Sequence, residues 1–226
     1  MRQRNALLLA WYDLIERIAE QPQDPGAARL KLDWWRQEVA NLARGKASHP
    51  LAVKLHEAGL NNRAETQLKA IVDHADEEIR SPSLRDDLAF AAACRNSLGN
   101  FFVLLTRVER ESDYNAGSCL GMGAYCAAVE RVRRLARCPQ RMPEDMGVEA
   151  LRRMTPDQRV SRFEVLLGRF ETTASSRLEQ VPDLARRLGA LAGAMHVKMR
   201  DRDYAVIDTP IDRAPIAQLW TAWRCR

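Results

Sequence analysis

The sequence predicts an all-α protein, a single multi-helix bundle spanning residues 1–226. Three observations predict it. Apolar residues recur at spacings of three and four along most of the chain, glycine and proline fall mainly where those stretches end, and no run of β-branched residues alternates at period two. With 46% hydrophobic and 29% charged residues, the 226-residue chain suits one ordinary globular domain with enough interior to fold alone. No linker or low-complexity tract divides it, so the helices are expected to pack as one unit.

The elements follow in order. Over residues 4 to 20, Leu7, Trp11, Leu14 and Ile18 recur at 4, 3 and 4, with Asp13, Glu16, Arg17 and Glu20 on the other side, which reads as an amphipathic helix. Asp24 and Pro25 then give an N-cap and a proline at the first helical position, and Gly45 supplies the stop. Ser48 and Pro50 start a short helix closed by Gly59, and a fourth runs from Ala64 to Ile79. Ser81, Pro82 and Ser83, followed by Asp86, signal a cap for a long helix from about Leu84 to Glu109. Another runs from Tyr114 to about Arg137, carrying Leu120, Met122, Tyr125, Val129, Val132 and Leu135. A polar loop at 138–147 precedes helices beginning at Thr155-Pro156-Asp157 and at Pro182, reaching about Glu179 and Tyr204, and a tail helix carries Leu219, Trp220 and Trp223.

Composition narrows the function classes. Apolar runs such as 101–105 are cut short by charge before the roughly 18 residues a membrane span needs, and the amino end lacks the regions of a signal peptide. The expected location is the cytoplasm, with peripheral contact at the inner membrane as a variant. Cys94, Cys119, Cys126, Cys138 and Cys225 are odd in number and form no CxxC pair, so they are expected to be reduced and mostly buried. A net charge of +5 and a pI near 9.1 favour an anionic partner without choosing among phosphate, nucleic acid and acidic membrane. The arginine pairs at 133–134, 152–153 and 186–187 are interspersed with acids and lack interleaved aromatics, so solvated helix faces explain them better than nucleic-acid binding. His49, His56, His74 and His196 are scattered without metal-ligand spacing.

The adjacent tryptophans of ARLKLDWWRQEV pose a sharper question. Ala28, Leu32, Trp35, Val39 and Leu42 recur at 4, 3, 4 and 3, which places Trp35 in the main seam. Leu30, Trp34 and Glu38 form a second row about a quarter turn away. Trp34 is therefore expected to meet a second wall, either a neighbouring helix or the lining of an apolar cavity.

The run DPGAARLKLDWWRQEV followed by GKASHPLAVKL resembles the squalene/phytoene synthase family, as do LAFAAACRNSLGNFFVLL and CLGMGAYCAAVERVRRL further along. The resemblance covers about residues 4 to 187. It implies an all-α isoprenoid synthase bundle around a deep apolar pocket, in which active members join two prenyl diphosphates head to head. It also implies two D-x-x-x-D motifs on facing helices, holding magnesium against the departing diphosphate.

Both motif positions are altered in this sequence. The first falls on Glu16 and Glu20, which keep carboxylates at i, i+4 and are the candidate Mg2+ ligands. The second falls on residues 132–136, where both aspartates are missing and the surroundings are basic: Arg131, Arg133, Arg134 and Arg137. Arg131 and Arg134 are expected either to contact a diphosphate directly or to pair with Glu16 and Glu20 across the former pocket mouth. Trp34 and the polar pair Arg95 and Asn96 complete the candidate substrate-binding set, while Gly99 points first to a tight helix contact and second to the close approach of a ligand.

Two main readings follow. In the first, the chain is a divergent relative without the family's prenyl transfer activity and needs no cofactor. It binds a prenyl diphosphate or isoprenoid lipid, or acts with a protein partner in assembly. In the second, it is an active head-to-head prenyltransferase using Mg2+ on Glu16 and Glu20. A basic helical nucleic-acid-binding module is a third reading from a different class.

Overall fold

The computed structural model describes residues 2–20, 22–81, 83–106, 115–174 and 181–208, together with Ile211 and Ala217. The expected tail helix with Leu219, Trp220 and Trp223, and Cys225, lie outside these residues. Ten α-helices are present among the described residues: α1 (Arg2–Ala19), α2 (Pro25–Ala43), α3 (Pro50–Glu57), α4 (Glu65–Arg80), α5 (Asp87–Cys94), α6 (Asn100–Thr106), α7 (Ala116–Arg133), α8 (Val148–Arg153), α9 (Pro156–Ala174) and α10 (Asp183–Arg200). Among the described residues there is no strand, and an isolated parallel bridge joins Leu84 to Pro143.

The helix boundaries follow the chemistry of the termini. Asp24 accepts the Ala27 amide at 3.1 Å with Pro25 at the first helical position, and the α2 exit passes through Gly45 at a positive φ of 70°. His49 caps α3 by accepting the Leu51 amide on Nδ1 at 3.1 Å. The buried Glu38 carboxylate accepts the Ser48 and His49 amides, both at 2.6 Å, which fixes the turn between α2 and α3.

The long helix expected over 84–109 is interrupted. Asp86, rather than Ser83, is its cap and accepts the Ala89 amide at 2.8 Å. Residues Arg95–Gly99 form a π turn in which Ser97 departs from helical geometry at φ −88°, ψ −109°. Ser97 Oγ sends its hydrogen bond back to the Ala93 carbonyl at 2.9 Å, within the same helical run. The stretch Asp87–Thr106 is long and apolar enough to cross a membrane by composition, yet it is a central wall of the bundle, packed against α7 and α4.

α7 is the axis of the packing and touches α5, the π turn, α6, α9 and α10. Its residues are small and buried on nearly every side, including Gly123, Ala124, Ala127 and Ala128. A β-carbon on Gly123 would stand 2.3 Å from the Leu98 carbonyl oxygen and 2.9 Å from the Gly99 Cα. The two glycines thus let α7 and the π turn approach backbone to backbone, the tight contact that Gly99 signalled.

On the other side α4 packs against α1, α2 and α6, and α3 closes the ends of α1 and α2. The α2 seam of Ala28, Leu32, Trp35, Val39 and Leu42 is buried as the spacing requires. The α1 seam is rotated from the expected one: Leu8, Trp11, Ile15 and Ala19 are buried, while Leu7, Leu14 and Ile18 flank them half-buried. α1 is apolar over so wide an arc that its contacts with α3 and α4, rather than its own period, choose the central row.

Candidate functional site

α1, the π turn, the C-terminal half of α7 and the segment carrying Cys138 and Arg141 line a charged mouth of about 240 Å³, with Glu78 of α4 behind Arg131 and Arg141. Residues 132–136 are only partly helical. α7 ends at Arg133 and Arg134 is its C-cap, so the guanidinium of Arg134 swings out toward α1. It meets Glu20 at 2.7 Å and Glu130 at 2.6 Å. Arg134 and Glu20 are each about one-third exposed, at 36% and 35%.

Deeper in, Arg131 is buried and pairs with Glu78 of α4 in a very short contact. Arg141, in the turn after α7, reaches Glu78 at 2.8 Å and Glu16 at 3.4 Å. His74 Nε2 stands 3.0 Å from Arg131 Nη2 and 3.3 Å from Glu78 Oε1. Burial by itself would raise the Glu78 carboxyl. The charge of Arg131, the hydrogen bond and charge of His74 and the charge of Arg141 outweigh it and hold Glu78 well below the usual carboxylate range. Burial likewise works against the Arg131 charge, and Glu78 reverses it, so the guanidinium pKa is raised.

Tyr12 completes the wall. Its phenol is pushed well above the ordinary value by burial and by its charge and hydrogen-bond contact with Glu16, so it stays protonated and donates to that carboxylate. The thiols nearby are not nucleophiles at neutral pH, because burial pushes Cys94 and Cys126 up to about 12.

From the mouth an apolar groove of about 470 Å³ runs between α6, α7 and α10. Leu9, Leu98 and Glu130 line both spaces, so mouth and groove are continuous. Phe101, Phe102, Val129 and Leu188 form part of its wall. The volume lies within the range of small-molecule pockets.

Glu16, Glu20, Arg131 and Arg134 are therefore brought together as expected, with one exchange of partners. Arg134 takes Glu20, but Arg131 turns to Glu78 and leaves Glu16 to Arg141. The other three candidate site residues lie apart from the mouth. Trp34 lines neither the mouth nor the groove: it is 43% exposed and packs edge-on against Trp35 of its own helix and His49 at the start of α3. Arg95 and Asn96 are exposed, because the π turn rotates Ser97 and Leu98, not them, toward the mouth.

Sequence reasoning missed Tyr12, His74, Glu78 and Arg141. The signal for two of them was present. His74 and Glu78 fall at 3 and 7 after Ile71, on the apolar seam of α4, where a polar side chain must find a buried partner.

The mouth also bears on magnesium, which the resemblance implies. Such an ion is held by one or two carboxylates with open oxygens, together with waters and substrate phosphates. Here Glu20, Glu16 and Glu78 are each engaged by guanidinium groups, and among the described residues no cluster of three or more His, Cys, Asp or Glu side chains is disposed to hold a metal. The residues as arranged do not fit it.

No protein-family model matches the chain, and no curated protein matches its sequence. A crystal structure of a dehydrosqualene synthase in complex with ligand does match in three dimensions, with a TM-score of 0.73 over 99% of this chain and 86% of that one. The fold is of the squalene/phytoene synthase type. At 14% identity the likeness carries the architecture alone. The chemistry of this squalene/phytoene synthase-like bundle rests on its own mouth and groove.

Proposed function

We propose that the protein is a bundle of the squalene/phytoene synthase type that has lost prenyl transfer and retains the groove as a binding site for an isoprenoid or similar lipid, serving a binding or assembly role. One observation carries this reading: the carboxylates at the first-motif position and on α4 are held by arginines, Glu20 by Arg134 and both Glu16 and Glu78 by Arg141. An allylic diphosphate leaves only when its developing charge is neutralised. A mouth whose cations are already committed to carboxylates supplies little of that neutralisation. The groove survives because its lining depends on apolar packing among α6, α7 and α10 rather than on the charged residues.

The dehydrosqualene synthase match supports an isoprenoid as the class of ligand, since the groove lies in a bundle of the same fold. The test is direct. Purified protein incubated with farnesyl or geranylgeranyl diphosphate and Mg2+ is expected to release no diphosphate, measured by a coupled phosphate assay. Turnover that disappears in Glu16→Ala or Glu20→Ala would establish the alternative, an active head-to-head transferase, which the retained i, i+4 carboxylates favour.

A further inference from the structure

From the charge balance of the mouth, and resting on the lipid-binding reading above, we infer that the ligand is an uncharged isoprenoid-type amphiphile, of the class of a long-chain alcohol, rather than a diphosphate. The mouth is lined by four carboxylates and four guanidinium groups, Asp13, Glu16, Glu20 and Glu130 against Arg17, Arg131, Arg134 and Arg141. Glu78 behind the wall and Arg133 at the groove add one charge of each sign, so the balance is zero.

The cancellation is local as well as global. Arg17 holds Asp13 at 2.8 Å, Arg134 holds Glu20 at 2.7 Å and Glu130 at 2.6 Å, and Arg141 lies between Glu16 and Glu78. A diphosphate entering here must take a guanidinium from a carboxylate that then faces it with like charge. A diphosphate accompanied by magnesium must instead displace the guanidinium groups from the carboxylates. Both exchanges are opposed by the contacts already made.

An uncharged head group disturbs none of them. Its chain meets an apolar groove whose rim already exposes hydrocarbon to water, Leu9 being 40% exposed. Covering that rim supplies a hydrophobic driving force that needs no electrostatic partner. A single hydroxyl at the entrance can hydrogen-bond with water or with the mouth side chains, so it stays solvated while the chain is buried.

Equilibrium binding of farnesol and of farnesyl diphosphate to the full chain, with and without Mg2+, separates the possibilities. Farnesol is expected to bind at least about tenfold more tightly, a difference of about 1.4 kcal/mol, and Mg2+ is expected to leave both affinities unchanged. Ala192→Phe, which fills the groove wall on α10, is expected to weaken farnesol binding about tenfold or more, with helicity by circular dichroism showing that the variant folds. Glu20→Gln, which leaves the mouth one positive charge in excess, is expected to shift the preference toward farnesyl diphosphate about threefold or more at low salt. Tighter binding of farnesyl diphosphate, or a requirement for Mg2+, overturns the uncharged-ligand inference and leaves the lipid-binding reading standing. Binding of neither probe, or binding insensitive to a folded Ala192→Phe, overturns that reading itself.

Discussion

Glu78 shows how one residue can decide what a site does. It receives Arg131 and Arg141, and it sits at about 10% exposure beside an equally buried Arg131. Removing one partner of such a pair leaves an uncompensated charge, which costs far more than the pair contributes. Glu78→Gln is expected to lower stability by about 3–5 kcal/mol at neutral pH, measured by urea denaturation. The acid limb gives an independent check. Because the folded carboxyl is depressed below its unfolded value of 4.5, the stabilisation is fully present above that pH and is lost as pH falls below it. The wild-type protein should therefore lose more stability than Glu78→Gln between neutral pH and about pH 3. The partly exposed Arg134–Glu20 pair is worth much less in stability, since water screens it. Its importance lies in occupying a carboxylate.

At the scale of elements, the interrupted helix α5–α6 positions the site. The π turn Arg95–Gly99 presents Ser97 and Leu98 to the mouth, and its close fit against Gly123 fixes the rotation of α7, hence the direction of Arg131 two turns later. Gly123→Ala would drive a methyl group into backbone rather than into a side chain that can yield. It is expected to destabilise the fold by about 1–3 kcal/mol in urea denaturation. Caps and helix starts here were legible in the sequence: Asp24 with Pro25, Pro50, Pro156 and the stop at Gly45 all stand where the termini chemistry places them. The break at Arg95–Gly99 was not. A π turn depends on which carbonyls a neighbouring helix crowds, and that neighbour lies about 25 residues away.

The whole molecule is closed by a second buried polar chain, away from the charged mouth. Tyr125 of α7 bonds His196 Nδ1 of α10 at 3.0 Å, His196 Nε2 bonds Tyr204 at 2.8 Å, and Tyr204 donates to Glu164 of α9, which also receives Arg200. Donation by Tyr204 to Glu164 leaves Nε2 of His196 as the protonated nitrogen and Nδ1 as the acceptor. The chain ties α7, α9 and α10 into one body and so holds the α10 wall of the groove. Tyr204→Phe would leave the His196 proton short of a partner, while Glu164 keeps Arg200 on both oxygens. The expected loss is about 1–3 kcal/mol, measured by thermal or urea unfolding, with weaker retention of any groove ligand.

The sequence by itself determined the helical class, most helix starts and the buried seam of α2, because these follow from local spacing and from the φ preferences and hydrogen bonds of single residues. Only the tertiary structure decided that Arg131 would choose Glu78, that Arg141 would take Glu16, and that Trp34 would face water instead of a cavity. Those choices compare partners far apart in the chain, 53 residues for Arg131 and Glu78. Which guanidinium reaches which carboxylate depends on how helices rotate when they pack, and no local pattern records that rotation.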